Sequence, residues 1–295
     1  MRDRLRALGV TLQSPACRTV FSSQLISGLG DWAGRLALAV VIFDRSDSAV
    51  WAAAVTVVSL LPWLGPGQFL ATLADRFGRI RVMLVADLSR AVLFAAMALI
   101  TSVPVLLVLA FLAGLCVPPF EGARSSAIVE LTDAETYPSA IAVHAMVNQA
   151  EILLGYALGG VVIAVAGARP ALAINAATFV LSALIVLRLA GSAASQVNAG
   201  ADHGWAGVRA GLRPWRRDLI CRRALLLYIG TSMCSVLPEA LVVPFADEVG
   251  VPSGAVGLVA ALIGIGSFAG ALFAPSTGTP EQLLRATAVR GLGVS

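Results

Sequence analysis

The sequence predicts an all-α membrane protein of about eight transmembrane helices with a cytoplasmic N-terminus. Three observations carry that expectation. First, 58% of the 295 residues are hydrophobic and only 13% charged, against about 25% charged in an ordinary soluble domain. Second, the mean hydropathy is +0.86, and the apolar residues fall in long uninterrupted runs. Third, a bilayer core needs roughly 20 apolar residues per helix, and the chain supplies such runs in series. Lipid offers no partners for backbone N–H and C=O groups, so these runs must be helices. The other solution, a closed barrel, needs short alternating strands, which these runs are not.

The runs cover 19–43, 49–72, 82–101, 104–123, 138–166, 170–189, 223–245 and 254–275. The first follows Arg2, Arg4 and Arg6 but lacks a short apolar stretch ending in a small-residue cleavage site. It also carries Asp31 and Arg35, so it reads as a retained helix and not a signal peptide. A tight charged loop, Leu73 to Arg81, joins the second run to the third. Between the sixth and seventh lies the one long connection, 190–222. Its first part is small and polar, a flexible linker by composition. Its second part spaces Trp205, Val208, Leu212, Trp215 and Leu219 by three and four, with arginines between them. That pattern suits either an amphipathic helix on the cytoplasmic leaflet, kinked at Pro214, or a partly ordered basic loop. Beyond the eighth run, 276–295 is too short and too polar to span again.

Orientation follows from arginine, since there is no lysine. With the N-terminus inside, the inner segments hold Arg2, Arg4, Arg6, Arg18, Arg76, Arg79, Arg81, Arg124, Arg188, the cluster from Arg209 to Arg223, Arg285 and Arg290. The outer loops hold only Arg45 and Arg169. The positive-inside rule therefore gives N-in. The net charge of +4 orients the chain in a membrane and does not mark a nucleic-acid binder.

Charges at bilayer depth cost about 2.5–3.5 kcal/mol each on insertion scales, so each needs a reason. Asp31 and Arg35 lie one turn apart on one face. They read either as a protonatable site gated by the arginine or as a self-neutralising structural pair. Asn148, Glu151 and Gly155 share a face in the fifth run, and a carboxyl there suits proton uptake and release; a neutral, hydrogen-bonded Glu151 is the alternative. Glu239 follows Pro238, which frees backbone carbonyls, and is a third pathway candidate. Asp87 and Arg90 read as a structural pair near the cytoplasmic surface, and Arg124 as a partner for Asp75 or its loop. Gly155, Gly159, Gly160, Gly266 and Gly270 allow close helix contact, or bending.

Other chemistries are excluded. The two histidines, His144 and His203, have no cysteine or carboxylate at ligand spacing, so no metal is expected. Cys17, Cys116, Cys221 and Cys234 lack paired spacing and read as free thiols. Without lysine no phosphate-binding loop of the G-x-x-x-x-G-K type exists. No catalytic constellation and no cofactor are expected.

The loop Leu73-Ala74-Asp75-Arg76-Phe77-Gly78-Arg79-Ile80-Arg81 resembles the loop between helices two and three of the major facilitator superfamily, G-x-L-A-D-R-x-G-R-R-R. Ala71 stands at the first glycine and Ile80 at one basic position. The stretches RVMLVADLSRAVLF and PPFEGARSSAIVEL look like helices three and four of its drug- and siderophore-exporting branch, which includes the enterobactin exporter. LLGYALGG resembles the antiporter motif G-P-x-x-G-G with Tyr156 at the proline. The resemblance covers about 19–275 and implies two six-helix bundles around a central site.

On that basis the chain divides into a complete six-helix bundle (1–190), a cytoplasmic linker (191–222), two helices of a second bundle (223–275) and a short cytoplasmic tail (276–295). The resemblance implies a C-terminally truncated, multi-pass inner-membrane exporter of hydrophobic or amphipathic small molecules, driven by proton antiport. It makes Asp75, Arg76, Gly78, Arg79, Arg81 and Arg124 a cytoplasmic gating group. The expected partners are lipid, a small-molecule substrate and protons, not nucleic acid. The alternative is a truncated, transport-incompetent membrane protein, a gene fragment or frameshift product, which self-association could in part complete.

Overall fold

A computed structural model describes residues 11, 13–64, 77–189, 236–252 and 255–272. Among the described residues the regular structure is helical, with no strand. In chain order the helices are α1 (Pro15–Ser46), α2 (Ala49–Leu64), α3 (Arg79–Leu99) and α4 (Val103–Leu131). They continue with α5 (Tyr137–Ala166), α6 (Ala168–Leu187), α7 (236–248) and α8 (Val256–Leu272). Five of them, α1, α3, α4, α5 and α6, are long and apolar enough to cross a membrane.

Local chemistry sets the ends. Ser14 caps α1, its Oγ accepting from the Cys17 N–H at 3.4 Å, and Pro15 takes the first helical position, where a missing N–H costs nothing. Asp47 closes the same helix in a left-handed conformation, φ 47°. Gly78 precedes α3 with φ 86°, a region that only glycine enters freely. Inside α4, Pro118 and Pro119 cannot donate to the preceding turn, and the helix breaks at Cys116 between Val103–Leu115 and Val117–Leu131. In the turn before α5, the Asp133 carboxylate accepts from the Thr136 hydroxyl at 2.7 Å and the Thr136 N–H at 2.8 Å. Those bonds hold its carboxyl below the usual range.

Helix α1 is the hub. It packs on α5 and α6, while α3 packs on α6 and α4, α2 on α4, and α8 on α5. Two apolar clusters sit at opposite ends of this bundle. One joins Leu38, Ile42, Phe94, Met97, Leu106, Leu172 and Phe179, and reaches α7 and α8 through Val243 and Ala260. The other joins Cys17, Phe21, Ile80, Met83, Phe120, Ile128 and Val186. Between them, on the same helices, lies a layer of buried polar groups: Ser23, Gln24, Asp87, Arg90, Arg124, Glu151 and Ser182. Many large apolar side chains face outward, Val92, Leu99, Val165, Leu184 and Leu262 among them, as suits a lipid-facing surface.

Where both ends are described, the helices begin and end within a few residues of the sequence expectation, except that α1 and α4 run further; α2 is described only to Leu64 and α7 only from residue 236. Asp75, Arg76, the linker 191–222 and the segments 223–235 and 276–295 lie outside the described residues.

Candidate functional site

A cavity of about 360 Å³ opens in the polar layer. Its walls come from α1, α2, α3, α4, α5 and α7, and it collects Asp31, Arg35, Arg124, Asn148, Glu151 and Glu239. Residues spread over more than 200 positions of sequence thus share one space.

The ion pairs are not those the spacing suggested. Asp31 and Arg35 share a face of α1, yet neither takes the other as its partner. Arg90 of α3 donates to the Asp31 carboxylate, and Arg35 reaches Glu239 of α7 at 3.1 Å. The reason is geometric: each group meets an opposite charge brought by another helix, which satisfies it better than its own helical neighbour. Asp87 and Arg90 do pair, as expected, but their place is corrected. They are buried in the middle layer and not near a surface, with side-chain exposures of 0% and 2%. Arg90 sits 3.6 Å from Asp87 and 4.0 Å above the Phe179 ring. The Ser182 hydroxyl donates to Asp87 at 2.6 Å. One guanidinium therefore holds two carboxylates, as a planar fork with several donors can.

The expected partner of Arg124, Asp75, lies outside the described residues, and among the described ones Arg124 has another acid. It pairs with Glu121, one turn earlier on α4, and lines the cavity. Of the gating group, Arg79 pairs with Glu130 at the end of α4, while Arg81 is exposed at the start of α3.

Glu151 differs from the other acids of the cavity in having no arginine at ion-pair distance among the described residues. It is only 4% exposed, and its Oε1 has no hydrogen-bond partner. The carboxyl occupies space opened by Gly28, since a Cβ there would overlap it. Gln24, one turn before Gly28, shares that wall, its Oε1 bonded to His144 Nδ1 at 3.1 Å. Aromatic surface completes the cavity. Trp32 stacks beneath Arg35 at 3.9 Å and meets Tyr156 edge-on at 5.2 Å, and Trp63, Phe94 and Phe120 add apolar walls.

The packing glycines divide into two seams. Gly155 and Gly159 face Trp32 and Ala33 of α1. Gly160 lies against Gly257 of α8, so close that a Cβ would stand 2.5 Å from the Gly257 Cα. Gly266 faces open space.

Sequence reading passed over Glu121, Gln24, Trp32 and Trp63. Glu121 alone had a signal, an acid three residues before Arg124 in an apolar run.

The Arg35–Glu239 pair joins α1 to α7 and gives a direct test. Glu239→Ala should lower stability by about 1–2 kcal/mol, less than the roughly 3–5 of a fully buried pair because Arg35 keeps some contact with water. The exchange Arg35→Glu with Glu239→Arg should recover most of the loss in detergent thermal unfolding. No recovery would mean that the two do not face each other.

Comparison with known proteins places these features. The Major Facilitator Superfamily profile matches residues 20–287. An uncharacterized MFS-type transporter, YfiS of Bacillus subtilis (strain 168), is 30% identical over 172 residues, 58% of this chain and 41% of that protein. The multidrug efflux pump Tap of Mycolicibacterium fortuitum is 26% identical over 275 residues, 89% of this chain and 67% of that protein. Tap of Mycobacterium tuberculosis (strain ATCC 25618 / H37Rv) is 30% identical over 214 residues, 68% and 51% of the two chains. The chain thus spans between 41% and 67% of the length of these relatives. Among solved structures, a bacterial homolog of the human lysosomal transporter Spinster, inward-facing and unoccupied, aligns with TM-score 0.68. That match has 16% identity and covers 95% of this chain and 73% of that one. A peptide transporter POT in complex with sulfate aligns at TM-score 0.60 and 12% identity, over 94% and 79% of the chains. At such identities the structural likeness speaks for the fold alone.

Proposed function

Because the chain belongs to the major facilitator superfamily, we propose that it serves secondary transport, exporting a hydrophobic or amphipathic small molecule in exchange for protons. The multidrug efflux pumps among its relatives favour export. The observation that carries the reading is Glu151. Asp31, Asp87, Glu121 and Glu239 each have an arginine partner, whereas the Glu151 carboxyl presents an unbonded oxygen at the cavity wall. A carboxylate held in a low-dielectric site without a fixed counter-cation is costly to ionise. Such a group takes up a proton when the cavity is closed to substrate and releases it when a cation or water arrives.

In this reading the N-terminus is cytoplasmic, α1 to α6 form the first bundle, and α7 and α8 belong to a second. The chain resides in the inner membrane. Aromatic walls at Trp32, Trp63, Phe94 and Phe120 hold the apolar body of the substrate. The Arg35–Glu239 pair breaks and re-forms as α7 moves against α1.

Reconstitution of the full chain in proteoliposomes tests this. With an imposed proton gradient, the native chain should drive efflux of a fluorescent amphipathic dye. Glu151→Gln, neutral and close in shape, should reduce gradient-driven efflux about 100-fold, the scale of losing a proton-transfer group, while dye binding persists. Asp31→Asn should act less on coupling, since its charge serves Arg90. Undiminished proton-coupled efflux in Glu151→Gln would overturn the assignment.

A further inference from the structure

A second site shares no residue with the central cavity and lies in a groove between the start of α1 and the end of α6. It encloses about 340 Å³ and is lined by Pro15, Arg18, Thr19, Ser22, Ile185 and Arg188. Two guanidiniums thus flank one opening from two different helices. Among the described residues neither has a carboxylate partner. Both side chains are exposed. The Thr19 and Ser22 hydroxyls are committed to the α1 backbone, donating to Pro15 O at 2.8 Å and Thr19 O at 3.1 Å. The arginines are therefore the donors available to a ligand.

The depth of the groove and the surface below it indicate which ligand. Helix α1 has 32 residues, about 48 Å at 1.5 Å per residue, while the hydrocarbon core is about 30 Å thick. Arg18, in the first turn, and Arg188, just past the last residue of α6, thus stand at headgroup level. Ile174, Ala177, Leu181 and Leu184 follow one another along α6 toward Arg188 at spacings of three and four, and all are exposed. An apolar stripe that leads up to paired cations fits an amphipathic anion whose chain lies along the stripe. The first-turn N–H groups of α1 add positive potential at the same point.

We propose that this groove binds the phosphate headgroup of an anionic phospholipid, with Arg18 and Arg188 as its clamp and an acyl chain along α6. Because basic pockets between spanning helices suit such headgroups, the lipid would brace α1, the hub of the bundle, against α6.

Native mass spectrometry of the full chain in detergent, titrated with short-chain phosphatidylglycerol, tests the assignment. The native chain should retain the lipid. Affinity should fall about fivefold for Arg18→Gln or Arg188→Gln and about 30-fold for both together. The double replacement by lysine, which keeps the charge, should retain most of it. Arg81→Gln is the matched control, an exposed arginine at the same end of the bundle, and should leave retention unchanged. An equal loss in Arg81→Gln would reduce the site to general surface attraction and overturn the proposal. So would undiminished binding in the Arg18/Arg188 double variant, or phosphatidylcholine binding as tightly. If inorganic phosphate displaces the lipid at equal concentration, the groove is a free-anion site and the lipid assignment fails.

Discussion

Arg90→Ala should be among the most destabilising single changes in the chain, at about 3–5 kcal/mol, the cost of leaving buried charge without its partner. The side chain is 2% exposed and serves two acids, Asp31 through a direct hydrogen bond and Asp87 at 3.6 Å. Asp87 is fully buried and relies on the guanidinium for its counter-charge. After truncation, Ser182 remains as a single neutral donor to Asp87, and the Phe179 ring loses the cation above it. Arg90→Lys should rescue only in part, because an ammonium lacks the planar fork that reaches both carboxylates while lying on the ring. The triple change Arg90→Met with Asp31→Asn and Asp87→Asn should recover more than Arg90→Lys, since removing all the charges avoids the unpaired state. Denaturant unfolding in mixed micelles reads each variant. If Arg90→Ala unfolds within a few tenths of a kcal/mol of the native chain, the middle layer is wet and the triad is not structural.

The contrast between this triad and its sequence signature shows what was legible. The helical membrane class followed from composition, because lipid leaves the backbone no alternative. Run boundaries were close for α3, α5 and α6, where polar loops and Gly78 or Gly167 interrupt the apolar pattern. That Asp31, Glu151 and Glu239 needed an explanation was legible too, since each is a charge within an apolar run. Which group answers each charge was not. Periodicity reports neighbours on one helix, at three and four residues, and so offered Arg35 to Asp31. The actual partners come from α3 and α7, and their approach depends on tilt and packing that no single-helix pattern encodes. The depth of Asp87 and Arg90 was misjudged for a related reason. Counting turns from a helix start locates a residue along its own axis, whereas burial depends on the neighbours, here α1, α4 and α6. Glu151's lack of an arginine partner was equally invisible, because its carboxyl occupies the void at Gly28, on a helix more than 100 residues earlier.

The same dependence on close approach makes Gly160→Leu the second large expected effect. Helices α5 and α8 touch backbone to backbone at Gly160 and Gly257, and Gly264 of α8 similarly meets Leu153, a Cβ there standing 2.8 Å from its Cα. In lipid, where apolar burial gives helices little reason to associate, such small-residue contacts are a main source of packing energy. A leucine at Gly160 puts four carbons into a space that does not admit one. The seam can answer only by separating, toward the ordinary spacing of about 8–10 Å for helices whose contacts carry side chains. Spin labels on Leu158 and Leu262, both exposed, should report a longer distance in the variant, and stability should fall by about 1–3 kcal/mol, the range for overpacking. Gly266→Leu, where a Cβ meets nothing, should leave the distance unchanged. Because α8 reaches the first six helices chiefly through this seam on α5, widening it should also impair any exchange that needs the two to move together. A label distance in Gly160→Leu equal to that of the native chain would show that α5 and α8 are not in backbone contact.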